Sequence, residues 1–94
     1  MLTVKDTVLD PISDQSITSL SSSTALTVPE HATMALIQAF TQNVRIRFTG
    51  SAPDASTGHI IYSGDIGYWA TSKLDKVRLI EVTASASVFV TYFK

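Results

Sequence analysis

Apolar and polar positions alternate along most of this chain. The clearest case is "VRIRF", where Val44, Ile46 and Phe48 fall on one side and Arg45 and Arg47 on the other. That period of two predicts a half-buried strand. "SVFVTYF" repeats the pattern, with Val88, Val90 and Tyr92 on one face and Phe89, Thr91 and Phe93 on the other. In "TMALIQAF", residues 33–40, every residue except Thr33 and Gln38 is apolar or small. Its length and alanine content also allow a helix, but its flanking strands favour a strand. "TALTVP", stopped by Pro29, "HIIYS", "IGYWAT" and "KVRLIEV" read as further short strands. Turns separate them: "PEHA", "SKLD", Gly64-Asp65, and "TQN" as a hairpin connection with Asn43 at positive φ. About seven or eight short strands at this spacing predict an all-β domain, an antiparallel β-sandwich or a jelly-roll-like small barrel.

The first twenty residues stand apart. "LTVKDTVLD" alternates weakly and ends at Asp10-Pro11, and "PISDQSITSL" is polar with isolated Ile12, Ile17 and Leu20. The Ser21-Ser22-Ser23 run resembles a flexible joint. Residues 1–20 are therefore expected to be either an N-terminal arm, able to pair with a neighbouring subunit, or an edge strand of the domain. Residues 21–94 are expected to form the sandwich itself.

Composition narrows the function classes. A chain of 94 residues suits one domain with a modest core, hiding roughly 65% of its unfolded surface. Charged residues make up 16%, and about a quarter of the chain is Ser or Thr, a surface suited to packing against neighbours. The net charge of −1 leaves no electrostatic footprint for nucleic acid. There are no cysteines, which excludes disulfides and thiolate chemistry. Charges at Lys5, Asp6 and Asp10 argue against a signal peptide, and no apolar run approaches a membrane span. The expectation is a soluble protein made without export and without a membrane partner.

Candidate chemistry is sparse. His31 and His59 are the only histidines, and neither has metal-ligand spacing with Glu30, Asp54 or Asp65. No serine sits in a nucleophile elbow, and no pair of acids is singled out for glycoside hydrolysis. No catalytic residue, metal or cofactor is expected, and the protein is read as a non-enzyme. Three groups remain as binding candidates. Arg45 and Arg47 share a strand face, with Arg78 expected across from them; together they suit carboxylates of a partner chain, or else form a solvated face with Glu81 as cross-strand partner. Tyr62, Tyr68 and Trp69 are candidates for stacking on a glycan, or for core packing. The tip of the 49–58 loop carries Pro53, Asp54 and His59. There Pro53 followed by Asp54 fits the second position of a type I turn, and Gly50 and Gly58 supply positive φ at either end.

The order of these pieces resembles a family of proteins. The run "ALIQAFTQNVRIRFTGSAPDASTGHIIYSGD", followed by "KVRLIEVTASASVFVTYF", is similar to a group of small bacteriophage virion proteins. In that group an A-L-I-Q strand leads to V-R-x-R, then a loop with A-S-x-G-H, a G-D turn, and Ser/Thr/Ala-rich last strands with an aromatic finish. The likeness spans residues 26–94, and departs at Thr49-Gly50, where relatives more often carry Asp before the Gly. It implies a structural part of a phage particle located in the virion. The leading expectation is a capsid decoration (cement) protein that contacts other phage structural proteins, the major capsid protein first, as a homo-oligomer. The alternative is a tail, neck or fibre component that binds a host receptor or surface glycan.

Overall fold

Alternation becomes burial, strand by strand. The computed structural model describes residues 9–54 and 56–94. Eight strands form: β1 (Pro11–Ile17), β2 (Thr24–Ala25), β3 (Met34–Phe40), β4 (Val44–Arg47), β5 (His59–Ile61), β6 (Ile66–Ala70), β7 (Arg78–Glu81) and β8 (Ser87–Phe93). A 3₁₀ turn, Leu74–Lys76, precedes β7. On β3 the inner positions are Ala35, Ile37 and Ala39; on β4 they are Val44 and Ile46; on β8 they are Val88, Val90 and Tyr92, all buried. Each fully buried Val, Leu or Ile contributes about 1.5–3 kcal/mol, so a register slip of one residue on any of these strands would remove much of the core.

The strands make two four-stranded sheets, ordered β1-β8-β3-β6 and β2-β7-β4-β5. Every pairing is antiparallel. Only the β4–β5 connection stays within a sheet; all others cross from one sheet to the other. That order is the double-sheet jelly roll, and it is realised as an open sandwich, with β1 and β6 at the edges of one sheet and β2 and β5 at the edges of the other.

The N-terminal segment resolves in favour of the edge strand. Residues 11–17 pair along β8, Ile17 and Leu20 enter the core, and the Leu20 carbonyl accepts from the Glu81 amide at 2.8 Å. Pro11–Leu20 is therefore part of the domain rather than a free arm; the rest of the expected arm, residues 1–8, lies outside the described residues. Polarity misled here because β1 is an edge strand exposed on one side, so it needs only Ile17 and Leu20 as anchors. It is also tied down by polar groups. The Tyr92 hydroxyl donates to Gln15 Oε1 at 2.5 Å, the same oxygen accepts from the Thr27 amide at 3.1 Å, and Gln15 Nε2 donates to Thr27 Oγ1 at 3.2 Å. Burial pushes the Tyr92 phenol up to about 12, against the opposing influence of the Thr27 backbone.

The same bonds explain why the "TALTVP" strand is short. Its ladder ends after Ala25 because the Thr27 amide turns to Gln15 instead of to β7. "TQN" also differs from expectation. It joins two sheets rather than forming a hairpin, and positive φ falls on Thr41 (73°), not on Asn43. The Gln42 amide donates to the Phe40 carbonyl at 2.8 Å, closing a γ-turn around Thr41. Asn43 is used otherwise: its Oδ1 accepts from the Ser63 amide at 2.8 Å and its carbonyl accepts from Val82 at 3.0 Å, binding three interstrand loops at one end of the sandwich.

Candidate interaction surface

The outer face of the second sheet carries the arginines. Arg47 lies directly opposite Arg78, and Arg45 opposite Ile80. Two like charges in register repel, and both guanidiniums turn to backbone carbonyls. Arg47 Nη1 donates to Ala52 O at 3.3 Å, and Arg78 Nη1 donates to Asp75 O at 2.7 Å and Val77 O at 2.9 Å. Arg45 Nη1 donates to Gly58 O at 2.8 Å. All three side chains are half-buried. They share one face, as the sequence predicts, but their donors hold the 49–58 loop and the 3₁₀ turn in place. Glu81 is not their cross-strand partner, because the register sets it opposite Val44 on the other face.

The 49–58 loop is built from its own hydrogen bonds. Asp54 and Thr57 exchange backbone bonds at 3.2 and 3.4 Å. The turn therefore runs from Asp54 to Thr57, and Pro53 precedes it as a buried residue instead of occupying its second position. Asp54 Oδ1 accepts from the Ser56 amide at 2.8 Å and the Ser56 hydroxyl at 3.2 Å, an Asx-turn. The Ser56 amide is the main reason the Asp54 carboxyl sits below its ordinary range. Gly50 and Gly58 do take positive φ, 87° and 128°. At Gly58 a Cβ would stand 3.1 Å from the Ile46 carbonyl, so the close approach and the left-handed backbone require glycine together. His59 is exposed and its ring lies 6.1 Å from that of Phe48.

The three aromatics do not form one platform. Tyr68 and Trp69 are consecutive on β6, so they point to opposite faces of the first sheet. Tyr62 follows β5 of the other sheet and is exposed. Trp69 packs half-buried against the core, its ring 5.6 Å from Phe48 of the facing sheet. Its indole folds back over Gly67, where a Cβ would lie 2.2 Å from the ring. Two clefts meet at this indole along the β6 edge. One, about 280 Å³, is lined by Phe48, Tyr68, Trp69, Ala70, Thr71 and Lys73. The other, about 180 Å³, lies among Ile60, Ile61, Asp65, Ile66, Gly67 and Trp69. Phe48 and Gly67 complete this edge, and neither is singled out by the sequence; Gly67 alone carried a signal, as a glycine inside a strand pattern.

A further surface feature is the outer face of the first sheet. Register places Asp14, Thr91, Leu36 and Tyr68 in one cross-strand row, and Ser16, Phe89, Gln38 and Ile66 in the next. Phe93, Met34 and Ala70 form a third row at one end of the face, and Phe40, opposite Ser87, closes the other end beyond Gln38. Across β8, β3 and β6 this face carries no charge, and Phe40, Ile66, Tyr68 and Phe89 are 41%, 53%, 69% and 43% exposed. An antiparallel sheet with one face in water normally alternates apolar-in with polar-out. Here the outer face is uncharged and rich in large apolar residues, with Gln38, Thr91 and Ser87 among them, and exposed apolar surface of this kind marks an interaction site. A signal existed in the sequence: "MALIQAF" and "SVFVTYF" have large apolar residues at both parities.

Among the described residues no three His, Asp or Glu side chains gather into a metal-binding group. Among the same residues no helix is long and apolar enough to cross a membrane. Comparison with known protein families, with curated proteins and with solved structures finds no match.

Proposed function

We propose that this protein is a non-enzymatic structural component of a bacteriophage virion, a capsid decoration protein that docks on the particle through the outer face of its first sheet. The observation that carries the docking role is the uncharged row structure around Leu36, Phe89 and Tyr68, a face that antiparallel sheets ordinarily leave polar. The phage assignment rests on the resemblance across residues 26–94, and the jelly-roll strand order is in keeping with it, since that architecture recurs in capsid proteins. The arginine face is the poorer docking surface, because each guanidinium is half-buried and held by Nη1 to a loop carbonyl.

Quantitative mass spectrometry of purified particles that encode the chain tests this reading. Hundreds of copies per particle, lost when Leu36→Asp and Phe89→Asp are introduced together, is the expected result. Six or twelve copies would transfer the protein to the tail or neck. Absence from particles would overturn the virion role. Full incorporation of the double variant would overturn the docking face.

A further inference from the structure

Among the described residues four strand edges are open in this sandwich, and three of them are guarded against pairing. β1 begins with Pro11, shifts register between Pro11 and Ser13, and carries Asp14. β2 has two residues and β5 has three. Short, irregular or charged edges resist the addition of another strand. β6 has none of these features. It is five residues long, regular in register with β3, and free of charge and proline.

The direction of its backbone groups follows from the ladder. The Asp65 carbonyl accepts from Ala39 and the Thr71 amide donates to Thr33, so odd-numbered residues of this strand bond inward to β3. Alternation then turns the N–H and C=O groups of Ile66, Tyr68 and Ala70 outward, away from the sheet. Their side chains stand on the exposed apolar face.

We infer that β6 pairs antiparallel with β6 of a second copy about a two-fold axis at Tyr68. The register is fixed by the pattern itself. Tyr68 meets Tyr68 of the partner subunit, and Ile66 meets the partner's Ala70, each pair exchanging both backbone bonds. A second copy is the occupant that fits because the five-residue edge is self-complementary about its centre: outward groups meet outward groups, and no like charges face each other. A two-fold interface requires that self-complementarity. The pairing also continues the uncharged face across the axis, with the two Tyr68 rings as a cross-strand aromatic pair. It joins two four-stranded sheets into one of eight, and places the partner's strand alongside the clefts that flank Trp69. The inference does not depend on the virion reading; it concerns the free protein.

The absence of cysteine from the chain makes the test direct. At a hydrogen-bonded antiparallel pair the Cα atoms lie about 5.5 Å apart, within disulfide range. Under mild oxidation Tyr68→Cys is expected to cross-link rapidly and nearly completely, whereas Ser16→Cys, exposed on β1, should not. Sedimentation of the unmodified protein should give twice the 10.2 kDa chain mass. Tyr68→Lys should give the single-chain mass with an unchanged circular dichroism spectrum, while Leu36→Asp, two strands in from the axis, should remain dimeric. A monomer at every concentration up to about 1 mM, the weak limit of specific association, would overturn the inference. So would a dimer that survives Tyr68→Lys, which would place the interface elsewhere, or one abolished by Leu36→Asp, which would make it face-to-face. A monomer whose β6 binds only a strand of another protein would overturn it too.

Discussion

The two sheets of this sandwich show their outer faces to the surroundings in opposite ways. The second sheet presents arginines, the residue type most often read as a partner-binding group, yet Arg45, Arg47 and Arg78 are spent on the carbonyls of Gly58, Ala52, Asp75 and Val77. The first sheet presents Phe89, Tyr68 and Ile66, residues most often read as core, exposed around a half-buried Leu36. Residue type alone therefore inverts the assignment. What decides it is whether a side chain's interactions are completed within the fold. Each arginine holds a loop or turn through Nη1 and acts as a strut, whereas the apolar face is only partly buried by folding and has burial still to gain from a partner.

The strongest way to break this comparison uses two adjacent residues of β3. Ile37 is fully buried and Leu36 stands on the outer face. Ile37→Asp places an unpaired charge in the core and should cost several kcal/mol, of the order of 3–5. Leu36→Asp should leave the urea midpoint of the monomer nearly unchanged. Similar losses from both would show that the outer face is part of the folding core rather than a surface.

A second effect, of order 2 kcal/mol, belongs to the burial of the Tyr92 hydroxyl where β8 meets β1. The folded Tyr92 phenol is raised to about 12 from a usual value near 10. Because the folded value is the higher one, its stabilising contribution is complete below about pH 10 and is lost as pH rises through about 12. Thermal melting should therefore fall over that window in the native protein and hold flatter in Tyr92→Phe. That variant starts lower, having lost the bond to Gln15. An identical alkaline profile for both would remove Tyr92 as the cause.

The smallest expected effect sharpens the arginine side. Arg45→Met removes a donor to the Gly58 carbonyl and should cost about 1–2 kcal/mol. Amide exchange should quicken in the 49–58 loop while particle binding stays intact. Loss of binding with an unperturbed loop would return the arginines to the role of partner contacts.

Much of the fold was legible because alternation on β3, β4 and β8 is strong, and Val44, Ile46, Val88 and Val90 are buried as their parity implies. Strand β1 was harder to place, since an edge strand held by Ile17, Leu20 and Gln15 leaves only a faint apolar trace. The sheet to which each strand belongs was not legible at all. "TQN" looks like a hairpin turn, and only the tertiary path shows it crossing between sheets. For the surface, Tyr68 was picked out for its ring chemistry, but its partners Leu36 and Phe89 are remote in sequence and become neighbours only through the β6-β3-β8 order. Arg47 and Arg78 are cross-strand neighbours, but the carbonyls they bond lie in loops whose course no periodicity reports.

The crossing connections have a consequence for how the chain is made. β1 pairs with β8, and the hydrogen bond between Thr91 and Asp14 links residues 77 positions apart. β8 also separates β1 from β3, so the first sheet has no continuous middle until the last strand is in place. At roughly 5–20 residues per second of synthesis, β1 waits several seconds without its partner while β3 and β6 emerge with apolar residues on both sides. Non-local pairing of this kind is slow to close. The same uncharged strands that suit the finished protein to docking are therefore its aggregation hazard at birth, and newly made chains must complete β8 before they meet one another.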